Sequence, residues 1–196
     1  MKTLIALVLS FLVGSTAMAD HGVSPCIEKE ILRLSTNDTI QDSLKRHNMQ
    51  YQRPQELDIP WANATPDSEW VQSILQDPAS VVIGALIQRF SYQGEGFLIG
   101  KNGGLAAATN KTSDYYQGDE AQFLDVIDLP KGDLWVEENI PDKSAGSLLI
   151  KVATPVYDTK LNYQHEAMGV LVVGLDQFVL EFSDKCHEYS PRAKQP

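Results

Sequence analysis

Residues 94–120 read GEGFLIGKNGGLAAATNKTSDYYQGDE, and this stretch decides the fold. A short apolar run, Phe97-Leu98-Ile99, meets the turn signal Asn102-Gly103, and a second run, Leu105 to Thr109, follows. Asn-Gly between two such runs predicts a β-hairpin, with both central residues of a type I′ turn at positive φ. A loop then runs to Gly118-Asp119-Glu120. It is too polar for a core and too rich in tyrosine for a plain linker. Its composition is that of the mouth of a site.

The grammar differs on either side of Gly94. Upstream, apolar residues recur at helical spacing. Ser24-Pro25 supplies an N-cap and a first helical position, followed by Ile27, Ile31 and Leu34 on one face. Asn37 or Asp38 caps a second helix carrying Ile40 and Leu44. Residues His47 to Asn63, with Pro54 and Pro60, read as a connector. Thr65-Pro66 opens a helix through Trp70, Ile74 and Leu75. Asp77-Pro78 opens another, whose expected buried stripe is Val81, Val82, Ala85, Leu86 and Phe90.

Downstream, strands are expected over Gly94–Ile99, Leu105–Thr109, Leu134–Glu137, Ser147–Val156 and Met168–Leu175. A short helix should start at Asp119, with Phe123, Leu124 and Ile127 pointing inward. Helices first and an antiparallel meander after give an α+β domain, with helices against one face of one sheet.

The hairpin followed by TSDYYQGDE resembles the PDC/Cache family of extracellular sensor domains, which have PAS-like folds. Further likenesses are Asp67-Ser68-Glu69-Trp70 to the family's helical Asp-x-Glu-Trp and Asp142-Lys143-Ser144 to its Asp-x-Ser element. Ile150 to Val156 resembles its strand ending in Pro-Val, and Met168 to Leu175 its final strand. The resemblance spans roughly Thr65 to Glu181, and the nine-residue loop motif is its most specific part. It implies an antiparallel five-stranded sheet with N-terminal helices on one face, and a small-ligand site on the other. The Arg-and-Trp set expected of amino-acid-binding relatives is not evident in the loop, which argues against an amino-acid ligand.

The expected organisation is a signal peptide at 1–19, an N-terminal helical segment at 20–64, one sensor domain at 65–189 and a disordered tail at 190–196. Lys2 forms the charged start of the signal, Leu4 to Val13 its apolar stretch and Ala17-Met18-Ala19 a small-x-small cleavage site. Ten residues are too few to span a bilayer, which takes about 20. Cleavage between Ala19 and Asp20 therefore predicts a soluble periplasmic or secreted protein without membrane insertion. A membrane-bound partner, such as a sensor kinase or receptor, would then be needed to pass on a signal.

The formal net charge is −10, with lysine and arginine scattered. A nucleic-acid footprint needs clustered positive charge, so nucleic acid is excluded as a partner. In an oxidising compartment Cys26 and Cys186 suggest a disulfide that staples the first helix to the C-terminal tail; two free thiols are the alternative.

The candidate ligand residues lie in and around the loop. Alternation along Leu148 to Val156 puts Leu149, Lys151 and Ala153 on one side of the sheet and Leu148, Ile150, Val152 and Thr154 on the other. The more apolar set belongs against the helices, so Lys151 should face the loop. A lysine there needs a carboxylate, from Asp114, Asp119, Asp142 or a ligand; an internal ion pair or a route to solvent is the alternative. Tyr115 and Tyr116 offer ring faces and hydroxyls, with one of the two in the core. Asp119 either contacts the ligand or caps the helix that follows.

Enzymatic readings find little support. There is no Gly-x-Ser-x-Gly and no His-Glu-x-x-His, and Gly100-Lys101 is followed by Asn102 rather than Ser or Thr. With four histidines scattered along the chain, neither catalysis nor a cofactor or metal is expected. The expected ligand is a small organic molecule, with a carboxylate as one option. The competing reading is a secreted protein-interaction domain whose pocket is filled by its own side chains.

Overall fold

The computed structural model describes residues 23–91, 93–142, 147–161 and 166–176. The signal peptide, Cys186, the tail at 190–196 and Lys143-Ser144 lie outside the described residues. Helix starts follow the capping chemistry. Ser24 caps α1 (Pro25–Ser35), with its hydroxyl accepting from the Ile27 N–H. Asn37 caps α2 (Asp38–Gln50) and Asp77 caps α5 (Pro78–Phe90). The stretch expected to be a connector carries a 3₁₀ turn at Pro54–Leu57 and then α3 (Asp58–Asn63). Ser68, rather than Thr65-Pro66, opens α4 (Glu69–Leu75).

Five strands follow: β1 (Gly94–Gly100), β2 (Leu105–Ala108), β3 (Trp135–Asp142), β4 (Ser147–Val156) and β5 (Gly169–Asp176). They form one antiparallel sheet in the order β2-β1-β5-β4-β3. The α+β class and the five antiparallel strands are as expected, but the sheet is not a meander, because β5 inserts between β1 and β4 and leaves β2 and β3 on opposite edges. β3 runs five residues beyond the expected Glu137, through a register shift between Glu137 and Ile140. Its Pro141 is tolerated because β3 is an edge strand.

The hairpin is present, but its turn differs from the two-residue type I′ expected. Gly100 and Gly104 close a three-residue loop: Gly100 N–H donates to Gly104 O, and Gly103 N–H donates to Gly100 O, both at 2.8 Å. Gly103 takes φ 87° at the third position, the geometry of a turn with a glycine bulge. The pairing Leu98–Ala107 and Ile99–Leu105 leaves Ala106 as an extra residue in β2.

Each sheet face has its own core. On one, Leu98, Ile150, Val152, Leu171 and Val173 meet Ile27 and Ile31 of α1, Ile40 and Leu44 of α2, and Ile83 and Phe90 of α5. On the other, Phe97, Ile99, Ala153, Val170 and Val172 are covered by Trp61 of α3, Val71 and Ile74 of α4, Tyr115 and Val126. Phe123 of the short helix α6 (Ala121–Leu124) completes that cover. The N-terminal helices thus pack on one face as expected, while short helices as well as the loop cover the other.

Two expected stripes are out of phase. α5 buries Ile83, Leu86, Ile87 and Phe90, and leaves Val81 65% exposed. Gln88 and Arg89 are exposed on the same side as Val81 and Ala85, so helical spacing counted from these two polar residues puts Ile83, Leu86, Ile87 and Phe90 inward. In α6, Phe123 is buried while Leu124 is 58% exposed, and Val126 takes the inward position beyond it.

Candidate functional site

The loop after β2 is held at both ends of its aromatic pair. It returns along the outer edge of β2, where Leu105 N–H donates to Tyr115 O (3.1 Å) and Gln117 N–H donates to Gly103 O (2.7 Å). α3 pins it from outside. The Asp58 carboxylate accepts from Tyr116 N–H at 2.6 Å, and Trp61 Nε1–H donates to Thr112 O at 2.9 Å.

This geometry separates the two tyrosines. Tyr115 is fully buried, with ring centroids 5.7 Å from Trp61, 5.4 Å from Trp70 and 6.1 Å from Tyr51. Burial pushes its phenol pKa far up, so it stays neutral. Its Oη has no hydrogen-bond partner among the described residues. Tyr116 is half-buried and lays its ring against Gly103 and Gly118.

Beside the Tyr115 plug the sheet surface stays open, in a cleft of about 180 Å³. Lys151 forms its floor together with Glu95 and Phe97, and its wall is Gln117, Gln122, Glu120 and Thr112 to Asp114. Lys151 therefore faces the loop side, as alternation along β4 requires. Its Nζ lies 3.2 Å from Gln122 Oε1, 3.6 Å from Glu95 Oε1 and 6.0 Å from the Phe97 ring centroid.

The register explains how β1 and β4, which are not neighbours, bring these groups together. Glu95 and Lys151 both pair with Gly174 of β5. With no side chain between them, the carboxylate and the ammonium meet across the glycine. A Cβ at Gly174 would lie 3.3 Å from Glu95 Cγ. Gln122 Nε2 then donates to Gln117 Oε1 (3.1 Å), and Gln117 Nε2 to Asp114 O (3.1 Å). This amide ladder joins the lysine to the loop.

Of the residues singled out in the sequence, Asp114 and Lys151 reach the cleft. Tyr115 lies in the aromatic core, and Tyr116 is absent from the lining. Asp119 is exposed; the N-cap position of α6 belongs to Glu120, with no side-chain capping bond. Asp142 ends β3 opposite Ser147, four residues along β4 from Lys151, or roughly 13 Å at 3.3 Å per residue. Glu95, Gln117, Gln122 and Gly174 were missed. Alternation along β1 was a usable signal for Glu95, because it places that residue on the same face as Phe97.

Two other depressions carry less convergent chemistry. One, of about 420 Å³, is open and largely apolar, between Lys45, Met49, Lys101 and Met168. The second, of about 250 Å³, is bordered by Ser43, Arg46, His47 and Asp77. There the Ser43 hydroxyl and Arg46 (3.0 Å) are already spent on the Asp77 carboxylate that caps α5. Among the described residues no group of three or more His, Cys, Asp or Glu is placed to hold a metal ion.

No family model and no curated protein matches the chain. Solved structures similar to it include the ligand-binding domain of the Campylobacter jejuni chemoreceptor Tlp3 in complex with 4-methylisoleucine. It is 14% identical, with 79% of this chain and 62% of that one covered and a TM-score of 0.40. Another is the ligand-binding domain of the Pseudomonas aeruginosa amino acid chemoreceptor PctC with GABA (18%, 77% and 63%, TM-score 0.36). A third is the sensor domain of the Vibrio cholerae histidine kinase DctB (18%, 83% and 61%, TM-score 0.32). The chain spans about three fifths of the length of each. At these identities and scores the likeness extends to no individual residue.

Proposed function

We propose that this chain is a non-catalytic, extracytoplasmic sensor domain that binds a small organic molecule in the cleft above Lys151. Ligand occupancy would pass to a membrane-bound kinase or receptor. The observation that carries the reading is the placement of Lys151. It stands on the floor of a polar cleft, beneath a loop anchored at Thr112, Tyr115 and Tyr116, where a purely structural sheet face would carry hydrocarbon. Asp114 and Lys151 are the proposed contacts, and Tyr115 supports the loop from below. The apolar stretch and cleavage pattern at residues 1–19 support export, and the Cys26–Cys186 bridge belongs to the same proposal.

A thermal-shift screen against organic acids, amines and amino acids tests it. A ligand at about 100 times its dissociation constant adds roughly 2.7 kcal/mol of stability. At ~2–4 °C per kcal/mol for a chain of this size, the shift is readily measured. Ser113→Trp, at an exposed cleft position, should fill the space and remove the shift while the unliganded melting point stays put. The aromatic plug of Tyr115, Trp61 and Trp70 favours a second reading, an interaction domain with a filled pocket. Silence across the whole panel would select that reading and end the first.

A further inference from the structure

Resting on the cleft as a ligand site, we propose that its ligand is a small organic cation, a primary amine or diamine, and not a carboxylate. The lining carries three carboxylates, Glu95, Asp114 and Glu120, against the single ammonium of Lys151. That ammonium is already engaged by Glu95 and by Gln122 Oε1. Among the described residues no cation pairs with Asp114 or Glu120. A bound carboxylate would meet two uncompensated negative charges, and a bound ammonium would neutralise them.

Hydrogen-bonding capacity points the same way. The Thr112 and Ser113 hydroxyls donate to Asp114, to its backbone oxygen (2.6 Å) and its Oδ2 (3.1 Å), leaving their own lone pairs as acceptors. The glutamine amides spend donors along the ladder, and Gln122 Oε1 keeps a lone pair. The cleft is therefore rich in acceptors and poor in donors, and an ammonium is all donors. Lys151 itself demonstrates the match, seated between a carboxylate, an amide oxygen and the Phe97 ring face. The volume of about 180 Å³ equals that of roughly six waters of liquid, which suits a ligand of about that many heavy atoms.

Putrescine and succinate share a four-carbon frame with opposite charge, and calorimetric titration of each into the folded protein separates the classes. Putrescine should bind and succinate should not. Asp114→Asn combined with Glu120→Gln should weaken putrescine at least tenfold. Lys151→Met should raise its affinity, because Glu95 is then released to the ligand and a like charge is removed from the floor; weaker binding would overturn the cation assignment. Succinate binding without putrescine would overturn the cation assignment and leave the sensor reading intact. Putrescine binding that survives Ser113→Trp undiminished would be adsorption to an acidic surface and would also overturn it. Binding of neither probe removes the cation assignment, while the broader panel decides separately whether the cleft binds anything.

Discussion

The two faces of the sheet are built from the same alternating strands and closed in different ways. The face under α1, α2 and α5 is mainly hydrocarbon, from Ile27 through Leu98 to Val173, with Thr154 and Gln41 buried at its margin and no charged side chain among its buried residues. The face under the loop is apolar at one end, where Tyr115 and Trp61 plug it, and charged at the other, where Glu95 and Lys151 meet across Gly174. On the second, the polar groups Glu95, Lys151 and Gln122 occupy area that hydrocarbon could have packed, which is why the proposed ligand site is put there.

Predictions follow from pressing on that contrast. The largest effect should come from Leu98→Ala, which opens a cavity under α2 and α5. It should cost about 2–5 kcal/mol, read as a shift in the denaturant midpoint, with the slope unchanged. A loss under about 1 kcal/mol would mean that the helix layer collapses onto the gap and the two faces are less distinct than drawn.

His47 comes next, where α2 reaches the edge of β2. Burial lowers its imidazole from about 6.5 to about 4, partly opposed by the Asp77 charge. Between those two values the unfolded chain binds more protons than the folded one, so stability rises with pH and is lost as pH falls from 6.5 towards 4. The slope is at most about 1.4 kcal/mol per pH unit, roughly 3 kcal/mol across the window. Urea melts at pH 6.5 and 5.5 for the wild type and His47→Gln check it. Equal slopes in the two proteins would show that His47 is not the group responsible.

On the loop face the effects should be smaller. Trp61→Phe removes the indole bond to Thr112 O and should cost about 1–3 kcal/mol, with faster hydrogen exchange confined to residues 110–118. Exchange unchanged there would show that the loop holds itself. Smallest of all, Tyr115→Phe deletes a buried hydroxyl that has no partner among the described residues. Stability should stay within about 1 kcal/mol of the wild type or rise. A loss comparable to that of Leu98→Ala would give the hydroxyl a structural role.

Local chemistry made much of the fold legible. Serine, asparagine and aspartate caps set the starts of α1, α2 and α5, and alternation bounded by glycine turns set the five strands within a few residues at most ends. Alternation also turned Lys151 to the loop. Helical spacing was legible but misapplied in α5: Gln88 and Arg89 share the outer face with Val81, which is exposed, and the buried stripe runs through Ile83, Leu86, Ile87 and Phe90. The choice between Tyr115 and Tyr116 was closed to pattern reading, since two neighbouring tyrosines in a loop have no periodicity to separate them.

The chain by itself determined the capped helices α1, α2 and α5, the five strands and which sheet face each β4 side chain meets, because these depend on neighbours a few residues apart; α3, which lacks a side-chain cap, was read as a connector. The tertiary structure alone decided that Glu95, Lys151 and Gln122 share one cleft. Their meeting depends on β5 inserting between β1 and β4 with Gly174 in register with both. No local rule carries that information, since the contact is fixed by pairings between strands dozens of residues apart.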